Sequence, residues 1–483
     1  MNTLSSTLAP AHAAAAPRTA SSPATYTLPA VSANQRTLAR AWLRLALLAL
    51  VGSGLFSVLL VLARTPGINA WLPSGDFFRV ALVVHVDLSV LVWFVAIAGL
   101  LWSLNQRAAR SRTASGFAWA ALALAALGAL GMVLAAFFDP GKPVMANYIP
   151  MLDSGGFRVA VGVFGVGALM LVLQALVRPS PIGPMLDGTG ALRFGLNAGA
   201  VAGAVALLAF AWALAVVPTA LPAKAYYEIL FWGGGHALQF TWTLLMLVAW
   251  LTLAQACGGR VPLSPRVVVL LFAVALAGVF VTPLAYLMHD VSTVEHRDMH
   301  TWGMRLGGGL AIAPLALAVL LALARRDAGS ARLVPTQRPL RAALLASMLL
   351  FVAGGLIGLT IQGSNVKIPA HYHGCIVGVT LALMGLVLHL LPQLGWRAPA
   401  GRLAVAQPWL YGFGQMLHII GLVWSGGYGV QRKVAGAEQV LRSTGEVAGM
   451  GLMGLGGLLA IAGGLLFVVV VVRAMRATPP AAL

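Results

Sequence analysis

The stretch Pro369-Ala370-His371-Tyr372-His373-Gly374 opens an apolar segment that extends to about Leu391. Each helical residue turns by about 100°, so two histidines two positions apart project from opposite flanks of one helix. Neutral imidazole is a standard axial ligand of haem iron, and a histidine inside a membrane is costly enough to suggest a function. The stretch predicts one helix that serves two separate iron centres. The alternative is a pair of structural histidines bonded to neighbouring helices.

The composition identifies the class of protein. Hydrophobic residues make up 60% of the 483 residues and charged residues only 9%, whereas an ordinary soluble domain carries about 25% charged residues. The mean hydropathy of +0.90 agrees with a chain that crosses a membrane many times. The formal net charge of +19 would suggest nucleic acid as the partner of a soluble protein, but in a membrane protein basic residues set the orientation. We therefore expect no nucleic-acid partner.

Apolar segments of about 20 residues predict an all-α integral membrane protein with about twelve transmembrane helices. The segments lie near residues 40–63, 78–104, 115–138, 156–177, 192–217, 226–256, 266–290, 300–324, 340–361, 369–393, 405–428 and 447–473. One membrane domain then occupies residues 39–476. The amino-terminal tail, residues 1–38, is rich in Ala, Ser, Thr and Pro and is predicted to be disordered. Residues 477–483 form the other tail.

The basic residues predict the orientation. If the amino terminus is cytoplasmic, most Lys and Arg residues fall in that tail and in the cytoplasmic loops, where Asp187 and Asp327 are the only acids. Cytoplasmic loops of membrane proteins carry such an excess of basic residues. We therefore expect a protein of a bacterial-type inner membrane, in contact with lipid, with both termini in the cytoplasm.

Five histidines share one predicted depth although they are far apart in the chain. On this topology His85, His236, His289, His371 and His373 all fall in the outer part of the bilayer. Scattered structural histidines have no reason to share a depth, so the coincidence predicts a layer of metal centres. A secondary transporter with twelve spans would match the hydropathy but not the shared depth. A non-catalytic haem carrier or gas sensor would need only His85 and His373.

These motifs resemble the catalytic subunit of the haem–copper oxidase superfamily, which includes the cytochrome c and quinol oxidases and the bacterial nitric oxide reductases. The resemblance extends from about residue 40 to the end of the chain. It implies that His371 binds a high-spin haem, and that His373 and His85 share a low-spin haem. The sixth helix of the family carries an aromatic residue four positions before its histidine. Trp232 precedes His236 at that spacing, which implies that His236 binds the non-haem metal.

The resemblance also implies the cofactors and the electron source. Arg432 and Lys433 resemble the basic pair that the family uses for haem propionates, where charge-assisted hydrogen bonds to carboxylates are strong. The implied cofactors are two haems, both expected to be of the b type, and a non-haem iron or copper. Cys257 and Cys375 form no CxxC or CxxCH motif, which excludes a c-type haem, a dinuclear copper site and an iron–sulfur cluster in this chain. An electron-donating subunit, cytochrome c or quinol must therefore supply electrons.

The sequence departs from the family near the end of the seventh predicted helix. Oxidases carry two adjacent histidines there, but this chain reads Met288-His289-Asp290. Asp290 can complete a ligand set with His236 and His289, and a carboxylate suits iron better than copper. The alternative is that Asp290 only satisfies the backbone where the helix ends. Both interpretations remain open at this point.

A second departure concerns the substrate. Oxidases use an active-site tyrosine, in many families four residues after the helix-six histidine, where this chain has Phe240. Tyr286, one turn before His289, could face the site. The eighth segment offers no polar side chain between Ala311 and Ala324, so it gives protons no relay from the cytoplasm. We therefore expect reduction of nitric oxide (NO) to nitrous oxide (N₂O), with protons from the outer side. The alternative is reduction of O₂ to water.

Other polar residues are less decisive. His296 and His300, four positions apart, could chelate a metal, but their polar stretch favours solvated side chains. Gln239 is expected to support the site or a neighbouring helix, and Asp87 to be a paired buried acid or part of a proton relay. The histidines expected to be structural are His389 and His418.

Overall fold

The computed structural model describes residues 24–28, 32–69, 75–107, 112–184, 186–307, 309–325, 333–435 and 438–477. Helices form most of this part of the chain. In order they are α1 (Ala33–Arg64), α2 (Gly75–Val86), α3 (Trp93–Leu104), α4 (Arg112–Phe138), α5 (Gly155–Val177), α6 (Gly188–Val216), α7 (Ala223–Ala256), α8 (Pro265–Ala277), α9 (Val281–Met288), α10 (Val294–Gly307), α11 (Gly309–Ala324), α12 (Gln337–Gly358), α13 (Lys367–Leu390), α14 (Arg402–Gly427) and α15 (Thr444–Arg476).

The predicted apolar segments coincide with these helices. The second segment is α2, a π-helical turn (Asp87–Val92) and α3, and the seventh is α8, a short 3₁₀ turn (Gly278–Phe280) and α9. The eighth combines α10 and α11. Among the described residues, eleven helical stretches are long and apolar enough to cross a membrane. The all-α class is therefore confirmed, and a count of twelve depends on the less apolar α14, which packs against α13 and α15.

Local signals define the helix ends, and small residues define the packing. Ser32 caps α1 through a reciprocal pair of hydrogen bonds with Gln35, and Ser443 caps α15 through Glu446 in the same way. Glycine allows α14 and α15 to touch backbone to backbone. A Cβ atom added at Gly421 would overlap the backbone nitrogen of Met453. Such close approach is how helices associate in lipid, where burial of apolar surface gives little driving force.

The two most enclosed helices carry three of the predicted functional histidines. Of the apolar stretches of α7 and α13, 89% and 78% of the residues are buried, so both helices lie at the centre of the bundle. Large apolar side chains such as Leu48, Leu127 and Phe138 remain exposed on its outside, where lipid would cover them. Of these three histidines, His236 is buried, and His371 and His373 are half-buried at the start of α13.

The amino-terminal segment is ordered earlier than the sequence predicts. Tyr26 is fully buried; its hydroxyl donates to the Leu263 carbonyl oxygen over 2.7 Å, and its backbone N–H donates to the Gln255 side-chain oxygen over 3.3 Å. Burial raises the pKa of the Tyr26 phenol. Residues 24–28 are therefore docked against the bundle, and α1 begins at Ala33 and not near residue 39. Residues 1–23 and 29–31 of the predicted tail lie outside the described part.

A two-stranded hairpin joins α4 to α5. Strand β1 (Lys142–Val144) pairs antiparallel with β2 (Met151–Asp153), so that Val144 is opposite Met151. The residues between the strands turn towards α7. This hairpin is the main non-helical element near the candidate site.

Candidate haem and metal centres

The two histidines at the start of α13 face different helices. The His371 Nδ1 atom lies 2.7 Å from the carbonyl oxygen of Gly354 on α12. The His373 Nδ1 atom lies 2.7 Å from the carbonyl oxygen of Pro369, and its ring is 5.0 Å from the ring of His418 on α14. The geometry agrees with the opposite flanks expected for residues two apart on a helix.

The His85 ring also faces a backbone carbonyl group, here one on α1. Its Nδ1 atom lies 3.0 Å from the Ser53 carbonyl oxygen, and it lies near the end of α2, just before the π-helical turn. In His85, His371 and His373 the Nδ1 atom faces a carbonyl oxygen, which can only accept a hydrogen bond. We therefore place the proton of each neutral ring on Nδ1, which leaves the lone pair on Nε2. A histidine that binds a metal usually donates its other ring N–H to such a carbonyl group. These three residues therefore fit haem ligands.

Close contact between α12 and α13 makes possible the hydrogen bond between His371 and the Gly354 carbonyl oxygen. A Cβ atom added at Gly354 would overlap the backbone nitrogen of Cys375. We expect Gly354→Ala to separate the two helices, lower stability by about 1–3 kcal/mol and weaken retention of haem. Gly355→Ala is the matched control, because an added Cβ there has no neighbour within 4 Å. Thermal unfolding of the two purified variants would test this, and equal midpoints would contradict the packing argument.

The basic pair lies in the loop after α14. The Lys433 Nζ atom donates to the Met145 carbonyl oxygen over 2.6 Å, and Arg432 Nε donates to the Ser364 hydroxyl over 3.2 Å. Burial lowers the pKa of Lys433 to about 8, with a further contribution from the neighbouring Arg432, whereas Glu228 acts in the opposite direction. The positive charge is thus under-compensated, and carboxylates such as haem propionates would stabilise it.

A cluster of unpaired groups surrounds His236 on α7. His296 and His300 on α10 are only 1% and 2% exposed, and their Nε2 atoms, like the hydroxyl of Tyr286, have no hydrogen-bond partner in the described structure. The His300 ring lies 5.8 Å from the His236 ring, 4.7 Å from the His296 ring and 5.9 Å from Tyr286. Leaving a buried polar group unpaired costs about 1–3 kcal/mol. A bound metal would compensate these costs.

The cluster fits a metal by the chemistry of its donors. His236 Nδ1 lies 2.8 Å from the Trp232 carbonyl oxygen, and His300 Nδ1 lies 2.8 Å from the His296 carbonyl oxygen. The proton of each ring is therefore assigned to Nδ1. His300 Nε2 has no hydrogen-bond partner in the described structure, and His236 Nε2 lies 3.0 Å from the Tyr148 hydroxyl. Within the described ranges no three His, Cys, Asp or Glu side chains already stand in ligand positions. Binding of one ion by His236, His296 and His300 would require their rings to move.

Three consecutive glycines shape the wall of this cluster. A Cβ atom added at Gly233 would lie 2.6 Å from the Tyr286 hydroxyl. One added at Gly234 would overlap the Phe210 ring, and one added at Gly235 would overlap the Tyr148 ring. Each glycine thus admits a different aromatic ring against α7. Burial raises the pKa of Tyr148 while a hydrogen bond with Gln239 opposes the shift, so the phenol stays protonated. Gln239 is therefore a supporting residue.

His289 and Asp290 lie at the end of α9 instead. The Asp290 carboxylate is exposed and accepts the Ser292 backbone N–H over 2.8 Å. Hydrogen bonds from the Ser292 hydroxyl and N–H hold the pKa of Asp290 below its usual range. The structure brings His236 together with His300, and the Asp290 carboxylate accepts a hydrogen bond from Ser292 just after the end of α9. His289 is half-buried and ends α9 with an extended backbone.

Sequence reasoning undervalues His296 and His300 because their stretch is polar. In the structure it forms α10, whose first turn begins at Val294, and the spacing of four places both rings on its buried face. That spacing was the available signal.

Phe240 packs against Gly278. A Cβ atom added at Gly278 would lie 2.8 Å from the Phe240 ring.

The remaining polar residues also have defined places. Asp87 is 1% exposed at the π-helical turn, and neither carboxylate oxygen has a hydrogen-bond partner in the described structure. His418 Nδ1 lies 3.0 Å from the Met453 carbonyl oxygen, which agrees with a structural role. His389 lies in the last turn of α13, far along that helix from His371.

Comparisons with known proteins identify the family. The sequence profile of the family Cytochrome C and Quinol oxidase polypeptide I matches residues 37–466. An uncharacterized protein of Rickettsia prowazekii is 26% identical over 92% of this chain and 96% of its own length. An uncharacterized protein of Aquifex aeolicus is 27% identical over 75% of this chain and 86% of its own. Cytochrome c oxidase subunit 1 of Thermus thermophilus is 24% identical over 76% of this chain and 71% of its own. The chain therefore belongs to the cytochrome c and quinol oxidase polypeptide I family, the membrane-embedded catalytic subunits of the haem–copper oxidases.

Proposed function

We propose that this chain reduces nitric oxide to nitrous oxide at a centre between a high-spin haem on His371 and a non-haem metal on His236, His296 and His300. The reaction is 2 NO + 2e⁻ + 2H⁺ → N₂O + H₂O. The observation that carries the metal site is the set of buried, unpaired Nε2 and hydroxyl groups around His300. His85 and His373 would hold the low-spin haem, and Arg432 and Lys433 would pair with propionates.

Two sites that each bind a diatomic gas suit the joining of two NO molecules. When bound, the haem iron and the non-haem metal would supply those sites and the electrons. The protein residues position them, exclude water and deliver protons. A ligand set of three imidazoles suits copper as well as iron, so removing Asp290 from the set also removes the preference for iron.

The proton supply favours NO over O₂ as substrate. Phe240 occupies the family's common tyrosine position and packs against Gly278, so it offers no proton. The side chains of α11 are all apolar, so this helix offers no relay from the side proposed to be cytoplasmic. Glu228, on the side proposed to be outer, accepts the Asn147 backbone N–H over 3.0 Å. We therefore propose proton uptake from the outer side, with both termini in the cytoplasm and with electrons from a partner subunit, cytochrome c or quinol.

Reduction of O₂ to water is the second candidate, and one observation favours it. The Tyr286 hydroxyl is buried and unpaired beside His296 and His300, where a tyrosine could give a proton and an electron to O₂. The reaction would be O₂ + 4e⁻ + 4H⁺ → 2H₂O. Tyr286 lies in α9 and not at the family's common position on α7, so this role needs a different geometry.

Turnover with a chemical reductant separates the two candidates. We expect N₂O formation from NO to exceed O₂ consumption, and Tyr286→Phe to leave NO turnover within about threefold of the unmodified protein, since NO reduction needs no tyrosine electron. In vesicles, protons should be taken up from the outer side. Rapid O₂ consumption that Tyr286→Phe abolishes would instead establish the oxidase. A reduced-minus-oxidised spectrum that shows only six-coordinate haem would identify an electron carrier.

A further inference from the structure

Tyr148 reaches the candidate metal centre from outside the helical bundle. It lies in the connection between β1 and β2, and its φ of 67° is in the left-handed region that residues other than glycine seldom adopt. Its hydroxyl oxygen is 2.9 Å from His236 Nδ1 and 3.0 Å from Nε2. Strained conformations of this kind persist where the surrounding structure determines them strongly. The contacts around Tyr148 therefore need an explanation.

The loop of residues 145–148 is fastened to α7. The Asn147 backbone N–H donates to the Glu228 carboxylate over 3.0 Å, and the Asn147 side-chain amide donates to the same carboxylate. The Tyr148 ring meets the Trp232 ring edge to face at 5.9 Å. It also fills the notch at Gly235, where an added Cβ would overlap the ring. The ring is thus confined against one face of α7.

The same loop is bonded to the basic pair. Lys433 Nζ donates to the Met145 carbonyl oxygen over 2.6 Å and to the Asn147 side-chain oxygen over 3.4 Å. Arg432 Nη1 reaches that oxygen at 3.5 Å. This short segment, residues 145–148, therefore spans from the groups proposed for the haem propionates to the imidazole proposed for the metal.

We propose that the 145–148 loop is a positioning element, which fixes the His236 ring through the Tyr148 hydroxyl and ties its orientation to Lys433. The proposal rests on His236 being a metal ligand. The terminal torsion of histidine is soft and roughly two-fold, so the Trp232 carbonyl group alone defines the ring plane weakly. Tyr148 adds a second polar contact through its hydroxyl, and its ring restricts rotation of the His236 ring.

The hydroxyl can serve His236 both before and after metal binding. With the Nδ1 proton donated to the Trp232 carbonyl oxygen, Nε2 accepts the Tyr148 proton. A metal at Nε2 would displace that contact, and the Tyr148 oxygen, which lies 2.9 Å from Nδ1 in the metal-free structure, could then accept a share of the Nδ1 proton. Hydrogen-bond partners of metal ligands typically contribute about 10-fold to 100-fold in metal affinity.

The test uses the full-length purified protein with its haems, stripped of non-haem metal and titrated with Cu⁺ or Fe²⁺. Bound metal is measured per haem, and the haem spectrum reports folding. We expect Tyr148→Phe, which removes one oxygen, to weaken metal binding about tenfold. Gly235→Ala should weaken it at least as much by displacing the ring, and Lys433→Met should shift it in the same direction by less. Tyr428→Phe, on an exposed outer tyrosine, should change nothing.

The outcomes separate this proposal from the one on which it rests. A wild-type protein that takes up neither metal would overturn the centre itself. Normal loading of wild type with unchanged affinity in Tyr148→Phe would overturn only the positioning role, and leave the ring as packing. Tighter binding in Tyr148→Phe would also overturn it, because the hydroxyl would then be a competitor of the metal.

Discussion

Replacing His300 with alanine should remove the non-haem metal and lower NO turnover by about 100-fold or more, while both haem spectra remain close to those of the unmodified protein. The expected loss is larger than that for a supporting contact, because His300 would itself be a ligand. Its Nε2 atom is buried and unpaired, and its ring lies close to those of His236 and His296. His296→Ala should have the same effect for the same reason.

Asp290→Asn is the matched comparison for the metal site. The Asp290 carboxylate is exposed and bonded to Ser292, so the amide should leave metal content and turnover within about twofold of the unmodified protein. Metal analysis of the purified variants, with haem content as the reference, would measure both effects. Loss of metal in Asp290→Asn with full retention in His300→Ala would return Asp290 to the ligand set and remove His300 from it.

The sequence predicts the helices of this protein well because the signal for them is local. An apolar run of about 20 residues has few alternatives to a membrane helix, and the basic loops predict its orientation. The opposite flanks of His371 and His373 also follow from one local quantity, the rotation per residue. Their different partners, Gly354 on α12 and His418 on α14, agree with it.

The sequence predicts the cluster around His236 poorly, because the residues that form it are brought together by packing between distant parts of the chain. The stretch of His296 and His300 reads as a polar loop, but in the structure both side chains are buried on one face of α10, and His300 lies beside Gly233. Tyr148 belongs to a hairpin far along the chain from His236. No periodicity connects these residues. The docking of Tyr26 against the Leu263 carbonyl group escapes sequence reasoning for the same reason.

The proposed haem ligands give the second large expected effect. His373→Ala or His85→Ala should abolish the low-spin haem, because each mutation removes one of its two axial imidazoles. His371→Ala should leave the low-spin spectrum and abolish the haem that binds carbon monoxide. The difference arises because the two α13 rings face different helices, His371 towards Gly354 and His373 towards His418.

Optical spectra of the reduced protein with and without carbon monoxide would separate these cases, with His389→Ala as a control in the last turn of the same helix. His418 could affect the result for His373→Ala, because it lies close enough to act as a substitute ligand. Its ring is 5.0 Å from that of His373, so the double variant His373→Ala with His418→Ala shows whether His418 can replace the lost ligand. A His371→Ala protein that still binds carbon monoxide and turns over normally would mean that the high-spin haem is held elsewhere. The proposed centre between His371 and His236 would then lack its haem, and the proposal would be wrong.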